Sequence, residues 1–184
     1  MSLSHAILGL LRQEPMTGYD LKTRCFDQSI NYFWPADQAQ IYRTLDKLVD
    51  QGWVSFHIET QSPRPSRKVY SLTPAGLVEL DRWLQRPQPL PLDREPFLVQ
   101  LFFAKEVPNE ALLGLIRLQA EAHQRKLEEY LHIPLPDAHD PQAAREDVLA
   151  RLTLDLGIQI EQAYLDWLAE ARGVVQQLKP GNQS

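Results

Sequence analysis

Cationic and amide side chains collect in two short stretches of this sequence. Gln38, Gln40, Tyr42, Arg43 and Lys47 follow closely on one another, and Arg64, Arg67 and Lys68 lie in a stretch with no acid between Glu59 and Glu79. A glutamine amide can pair bidentately with adenine, and an arginine fork with guanine. Arg and Lys side chains without acidic neighbours suit phosphate oxygens. Thr17 to Tyr19 form a third candidate, where a hydroxyl and the free N–H groups of a helix start can hold a phosphate. Each stretch also has a plain reading: a solvated helix face, a charged turn that keeps the chain soluble, and an ordinary helix cap.

Catalytic patterns are absent from the sequence. His5, His57, His123, His132 and His139 give no i,i+4 pair on one helix, and Cys25 has no Cys or His at metal-ligand spacing. There is no Gly-rich phosphate loop and no nucleophile elbow. We therefore expect no enzyme, no metal and no cofactor. Cys25, the one cysteine, cannot form an internal disulfide, and it reads as a small core residue rather than a redox sensor. The first residues lack the basic start and long apolar run of a secretion signal, and no stretch approaches the ~18 apolar residues of a membrane span. The expectation is a soluble cytoplasmic protein.

With 184 residues, 43% of them hydrophobic, the chain suffices for one or two small domains with real cores. Its net charge of −5 argues at first against a polyanionic partner. The charge is uneven, however. Residues 1–86 hold 10 Lys/Arg against 9 Asp/Glu, and residues 87–184 hold 9 against 15. The acidity belongs almost wholly to the second half.

The elements that must position the candidates can be placed by caps and periodicity. A first helix runs from about Ser4, read as its cap, to Gln13, and Pro15 stops it. Thr17 caps a second helix with Asp20 at the box position. Asp37 and Gln40 do the same for a third, with Ile41, Leu45 and Leu48 facing inward and Gly52 at its end. Ala39, Arg43, Asp46 and Asp50 then face outward, with Gln40, Tyr42 and Lys47 on the flanks. The period changes to two at Val54, Phe56 and Ile58, which reads as a half-buried strand. A turn over residues 60–67 and a strand from Lys68 to Leu72 complete a hairpin, and Thr73-Pro74 start a fourth helix through Gln85.

Three helices, a hairpin and a helix make the winged helix-turn-helix plan, whose third helix enters the major groove. The residues carry a resemblance as well. Ile7-Leu8-Gly9-Leu10-Leu11, Pro15 to Leu21, Ile41-Tyr42-Arg43-Thr44-Leu45, Gly52-Trp53-Val54 and Arg67 to Gly76 resemble the PadR family of transcriptional regulators. The remainder is similar to the longer helical C-terminal domain that one branch of that family uses for dimerisation. Domain limits follow: 1–86 for DNA binding, a proline-rich connector over 87–96, and 97–184 as a helical dimerisation and effector domain. The fold class is mainly α. Tyr42 matches the family's Ile-Tyr motif, where the resemblance implies DNA contact.

In the second half, Leu113, Ile116, Ala120, His123, Leu127 and Tyr130 repeat at coiled-coil spacing. After Asp140 as cap and Pro141, a helix is expected to about Leu178. Its stripe of Leu149, Leu152, Leu156, Ile160, Ala163, Trp167 and Val174 is wider than one neighbouring helix covers, so a second copy is the economical cover. An intrachain bundle with a kink near Gly157 is the alternative. The resemblance also implies sensing of small aromatic molecules in some members, for which Phe97, Phe102, Phe103, Tyr130 and Trp167 are the candidate lining. Plain core packing is the other reading of these five.

The expected function is a sequence-specific regulator, a repressor by resemblance, that binds double-stranded DNA of near-palindromic sequence as a homodimer and without a membrane. The competing class is a winged-helix protein-interaction module that does not bind DNA. Asp46 and Asp50 on the outward face of the third helix keep that reading open, because carboxylates repel phosphate.

Overall fold

A computed structural model describes residues 2–28, 30–60, 66–91 and 94–179. The chain divides into two compact units, Met1–Leu90 and Pro91–Ser184, each with its own core. Helix covers most of both units.

The first unit contains α1 (Ser2–Gln13), β1 (Met16–Thr17), α2 (Gly18–Asp20, continued by a π-helical turn Leu21–Phe26), α3 (Gln38–Asp50), β2 (Val54–Glu59), β3 (Arg67–Leu72) and α4 (Pro74–Leu84). Ser4 therefore does not cap α1. It lies inside the helix and is buried. The caps read at Thr17, Asp37 and Thr73 are present, each side chain accepting the backbone N–H three residues on. At the end of α3, Gly52 has φ +71°. Its N–H donates to Val49 O and that of Trp53 to Leu48 O, the paired bonds of a left-handed glycine cap.

The three strands stand in the order β1-β3-β2, both pairings antiparallel. β1 was not expected from sequence: two residues carry no periodicity, and only their pairing with Val69 and Tyr70 makes them a strand. The core holds Ile7, Leu8, Leu21, Phe26, Ile41, Leu45, Leu48, Val54, Tyr70 and Leu80. Each such side chain contributes about 1.5–3 kcal/mol on burial. The expected half-buried face of β2 is not observed. Val54 is buried, but Phe56 is 40% and Ile58 63% exposed; β2 is an edge strand, and Tyr70, opposite Phe56 in the central β3, is buried.

The second unit contains α5 (Pro96–Phe102), α6 (Asn109–Leu131) and α7 (Arg145–Gln177). α7 begins later than Asp140. That residue instead closes a turn, its carboxylate accepting the N–H of Gln142, and Ala144 stands at the helix start without a side-chain cap. α7 runs unbroken through Gly157, where the missing side chain makes room for the Tyr130 ring. Contacts at both ends show α6 and α7 to be antiparallel: Tyr130 meets Gly157, and the Asn109 amide donates to the carbonyls of Val175 (3.2 Å) and Leu178 (2.8 Å). Between them Glu161 is buried, 2% exposed, and binds His123 Nδ1 at 2.5 Å and Lys126 Nζ at 2.7 Å. Both carboxylate oxygens are thus partnered, as a buried charge requires.

Candidate functional site

One surface of the first unit gathers the start of α2, the outward face of α3 and the two wing strands. β1 is the link. By pairing Met16 with Tyr70 and Thr17 with Val69 it fixes the start of α2 beside β3. Gly18, next in the chain, is buried against the Tyr42 ring of α3. Tyr19 projects outward, and Tyr42 remains partly exposed.

Each candidate among the described residues has a definite place. Gln38, Gln40, Tyr42, Arg43 and Lys47 are all on the exposed side of α3. Gln40 is partly committed: its Oε1 accepts the Asp37 N–H at 3.0 Å in the capping box. Arg43 and Lys47 lie on the flank away from Tyr42, where they line an open groove of about 730 Å³ with Phe33, Trp34, Gln40 and Thr44. Thr17 does not offer its hydroxyl to a phosphate. It is buried and donates to Asp20 Oδ2 at 2.6 Å while accepting the Asp20 N–H. That hydroxyl is the main cause holding the Asp20 carboxyl below its ordinary value.

In the wing, Arg67 has an acidic partner that the sequence reading missed. Its Nε donates to Glu59 Oε2 at 2.7 Å, and the two residues are directly opposite in the register. The signal was available, since Glu59 and Arg67 stand at matching distances from the hairpin tip. Lys68 places its ammonium 4.4 Å from the centre of the exposed Phe56 ring, a cation–π contact between the two wing strands. Arg64 lies outside the described residues. Tyr70, beneath this surface, has its hydroxyl pKa raised chiefly by burial, with Asp46 and Tyr42 nearby adding to it.

The proposed interface residues of the second unit behave differently from one another. Leu149, Leu152, Leu156, Ile160, Ala163 and Val174 are exposed along α7, whereas Leu154, Glu161, Leu168 and Val175 form its buried face. Trp167 departs from the stripe: it is half-buried in its own unit, edge-on to Phe97 at 6.2 Å. The five aromatics read as a pocket lining do not converge. Phe97 meets Trp167, while Tyr130 meets Gly157, ten residues or ~15 Å away along α7. Phe102 and Phe103 pack on each other, 82% and 75% exposed. Among the described residues no three His, Cys, Asp or Glu are grouped to hold a metal, and no helix is long and apolar enough to cross a membrane.

Residues 7–82 match the PadR-like family of transcriptional regulators, and residues 94–176 match the C-terminal part of the virulence activator alpha family. The negative transcriptional regulator PadR of Bacillus subtilis is 32% identical over 170 residues, 90% of this chain and 93% of its own. The chain belongs to the PadR-like family. Two solved structures of the Bacillus subtilis PadR resemble it over nearly its whole length. The complex with operator DNA has a TM-score of 0.82 at 30% identity, covering 95% of this chain and 99% of the other. The complex with p-coumaric acid has 0.76 at 29%, covering 96% and 100%. This PadR-like chain is thus a transcriptional regulator with the family's winged fold and helical C-terminal region. Five short motifs in order were enough to indicate it.

Proposed function

We propose that this chain represses transcription as a homodimer whose first unit, residues 1–86, binds a near-palindromic DNA site. Residues 87–96 link it to a helical dimerisation unit at 97–184. The observation that carries the reading is that Gly18 lies against the Tyr42 ring, which brings the exposed Tyr19 and Tyr42 together beside the paired strands β1 and β3. Support comes from the related Bacillus subtilis protein, crystallised on operator DNA. Gln38 and Arg43 would read base edges, with Gln40 limited to its amide N–H groups by the cap. Tyr19 and Tyr42 would meet the DNA from α2 and α3, and Lys68, Arg67, Arg64 and Lys47 would meet phosphates. Thr17 would position Tyr19 instead of touching phosphate.

Leu149, Leu152, Leu156, Ile160, Ala163 and Val174 would lie against a second copy. An exposed aliphatic stripe of this length on a lone chain is otherwise an aggregation liability. By analogy with the p-coumaric acid complex of the relative, the effector is a small aromatic acid. We assign the chain no catalysis and place its work in the cytoplasm, with DNA.

Selection of duplexes from a randomised pool, followed by binding at two salt concentrations, tests the reading. A two-fold symmetric consensus with strong salt dependence is expected. Binding without any sequence preference would overturn it, and a monomer in sedimentation would overturn the dimer. Release of the selected duplex by p-coumarate tests the effector class. A reporter carrying that duplex at its promoter should be silenced.

A further inference from the structure

Tyr42 is held from one side by a residue that has no side chain. Gly18 is buried, and its backbone is fixed from both directions: β1 pairs Thr17 with Val69 just before it, and the Thr17–Asp20 capping box closes around it. A Cβ built on Gly18 would stand 2.6 Å from Tyr42 Cε1, 2.7 Å from Cζ and 3.1 Å from Oη. Real Cβ atoms do not approach carbon so closely. Every atom in the way belongs to the far end of the Tyr42 ring.

Gly18 does not have a positive φ, a feature found among the described glycines at Gly52 alone. An alanine at position 18 meets no backbone strain, and it improves helix propensity in the first turn of α2. The obstacle is the ring, on a side chain with two rotatable torsions and a partly exposed position. Swinging the ring outward relieves the clash at little cost to the fold. The core under α3, Ile41, Leu45 and Leu48, need not move.

We propose that Gly18 is a positioning residue for DNA binding: the space of its absent side chain seats the Tyr42 ring and so sets where the Tyr42 hydroxyl meets the DNA. This rests on the assignment of Tyr42 to the DNA surface. A dipeptide Gly18-Tyr19 at the start of α2 then serves the interface twice, with Tyr19 projecting outward and Gly18 seating Tyr42.

The test uses full-length protein and two probes, a duplex that the wild-type protein selects from a randomised pool and the unselected pool itself. Gly18→Ala should weaken binding to the selected duplex about tenfold, with little change on the unselected pool and no fall in thermal midpoint. Tyr42→Ala should weaken it at least as much. In the Tyr42→Ala background, Gly18→Ala should add no further loss, because the ring it displaces is gone. Full affinity in Gly18→Ala would overturn the proposal. So would an equal loss in both backgrounds, which would mean that the glycine acts through its own backbone. Full affinity in Tyr42→Ala would overturn the assignment of Tyr42 itself, and with it the role of Gly18. If Gly18→Ala fails to fold, folding restored in the double variant still shows the ring to occupy that space, and failure of both variants to fold overturns it.

Discussion

Helices α3 and α7 each bury one face in their own unit and leave another uncovered, and the two uncovered faces are chemical opposites. α3 buries Ile41, Leu45 and Leu48 and shows Gln38, Tyr42, Arg43, Asp46 and Lys47. α7 buries Leu154, Leu168 and Val175 with the partnered Glu161, and shows Leu149, Leu152, Leu156, Ile160 and Val174. Both are amphipathic by period, and both expose polar residues, but α7 also leaves an aliphatic stripe outside beside its Gln159, Gln162, Asp166 and Glu170. The sorting of side chains on α7, with a carboxylate inside and leucines outside, is costly for a lone chain in water. It is intelligible when the outer face is the centre of a larger core. A polar face suits a polyanion, and an aliphatic one suits a second copy.

Breaking the aliphatic face should have the largest effect. Leu152→Glu with Leu156→Glu should yield monomer in sedimentation and lower affinity for a two-half-site duplex by about 10² or more, since the two half-sites are then no longer linked. Persistence of the dimer would remove α7 from the interface. Trp167 is a poorer target than sequence suggests, because its substitution also disturbs the packing on Phe97.

Next comes the polar face. Arg43→Ala should cost ~1–3 kcal/mol on the selected duplex and much less on random DNA if the guanidinium reads a base. Arg43→Lys keeps the charge and loses the fork, so specificity should fall there too. Retained specificity in the Lys variant would reassign Arg43 to phosphate.

The wing offers an internal control. Lys68→Ala should reduce the slope of log affinity against log salt by about 0.9, the value of one phosphate contact. Arg67→Ala should change it less, because Arg67 already spends part of its charge on Glu59. Equal changes would mean that the Glu59 pair opens on binding DNA.

The smallest effect concerns stability. Thr17→Ala should cost about 1 kcal/mol as a lost cap. The folded-state pKa of Asp20 lies below its ordinary 3.8, largely through the Thr17 hydroxyl, so its contribution is complete above that value and is lost as pH falls through the depressed one. Thermal midpoints of the wild-type protein and the Thr17→Ala variant should therefore differ most at pH 7 and approach each other in acid, where only the bond from the Asp20 N–H to the Thr17 hydroxyl is left to lose. A constant gap at all pH values would separate the cap from the carboxylate.

What the sequence disclosed and what it hid divide along the same line as local and distant contact. The boxes Thr17–Asp20 and Asp37–Gln40, the Thr73-Pro74 start and the Gly52 stop were all legible, since each is decided within four residues. Their consequences were not. The boxes that fix α2 and α3 also occupy Thr17 and Gln40, two residues read as DNA contacts. β1 has meaning only through β3, over fifty residues later. The exposure of Phe56 and Ile58 goes with the place of β2 at the edge of the sheet, and alternation alone does not state what covers a strand. Similarly, helical spacing put Trp167 on the outer stripe of α7, whereas α5 packs Phe97 against it.

The tie between Asn109 and the last turn of α7 bears on how the second unit opens. Terminal carbonyls of a helix normally exchange partners with water, and the final turn frays independently of the rest. Here the amide of a residue 66 positions earlier holds Val175 O, and it also holds Leu178 O, so the end of the longest helix is fastened to the beginning of its antiparallel neighbour. Loosening that end requires the Asn109 amide to release both carbonyls. Backbone amides near residue 175 should therefore exchange with solvent more slowly than those of an untied helix end, by the modest amount that two such bonds contribute.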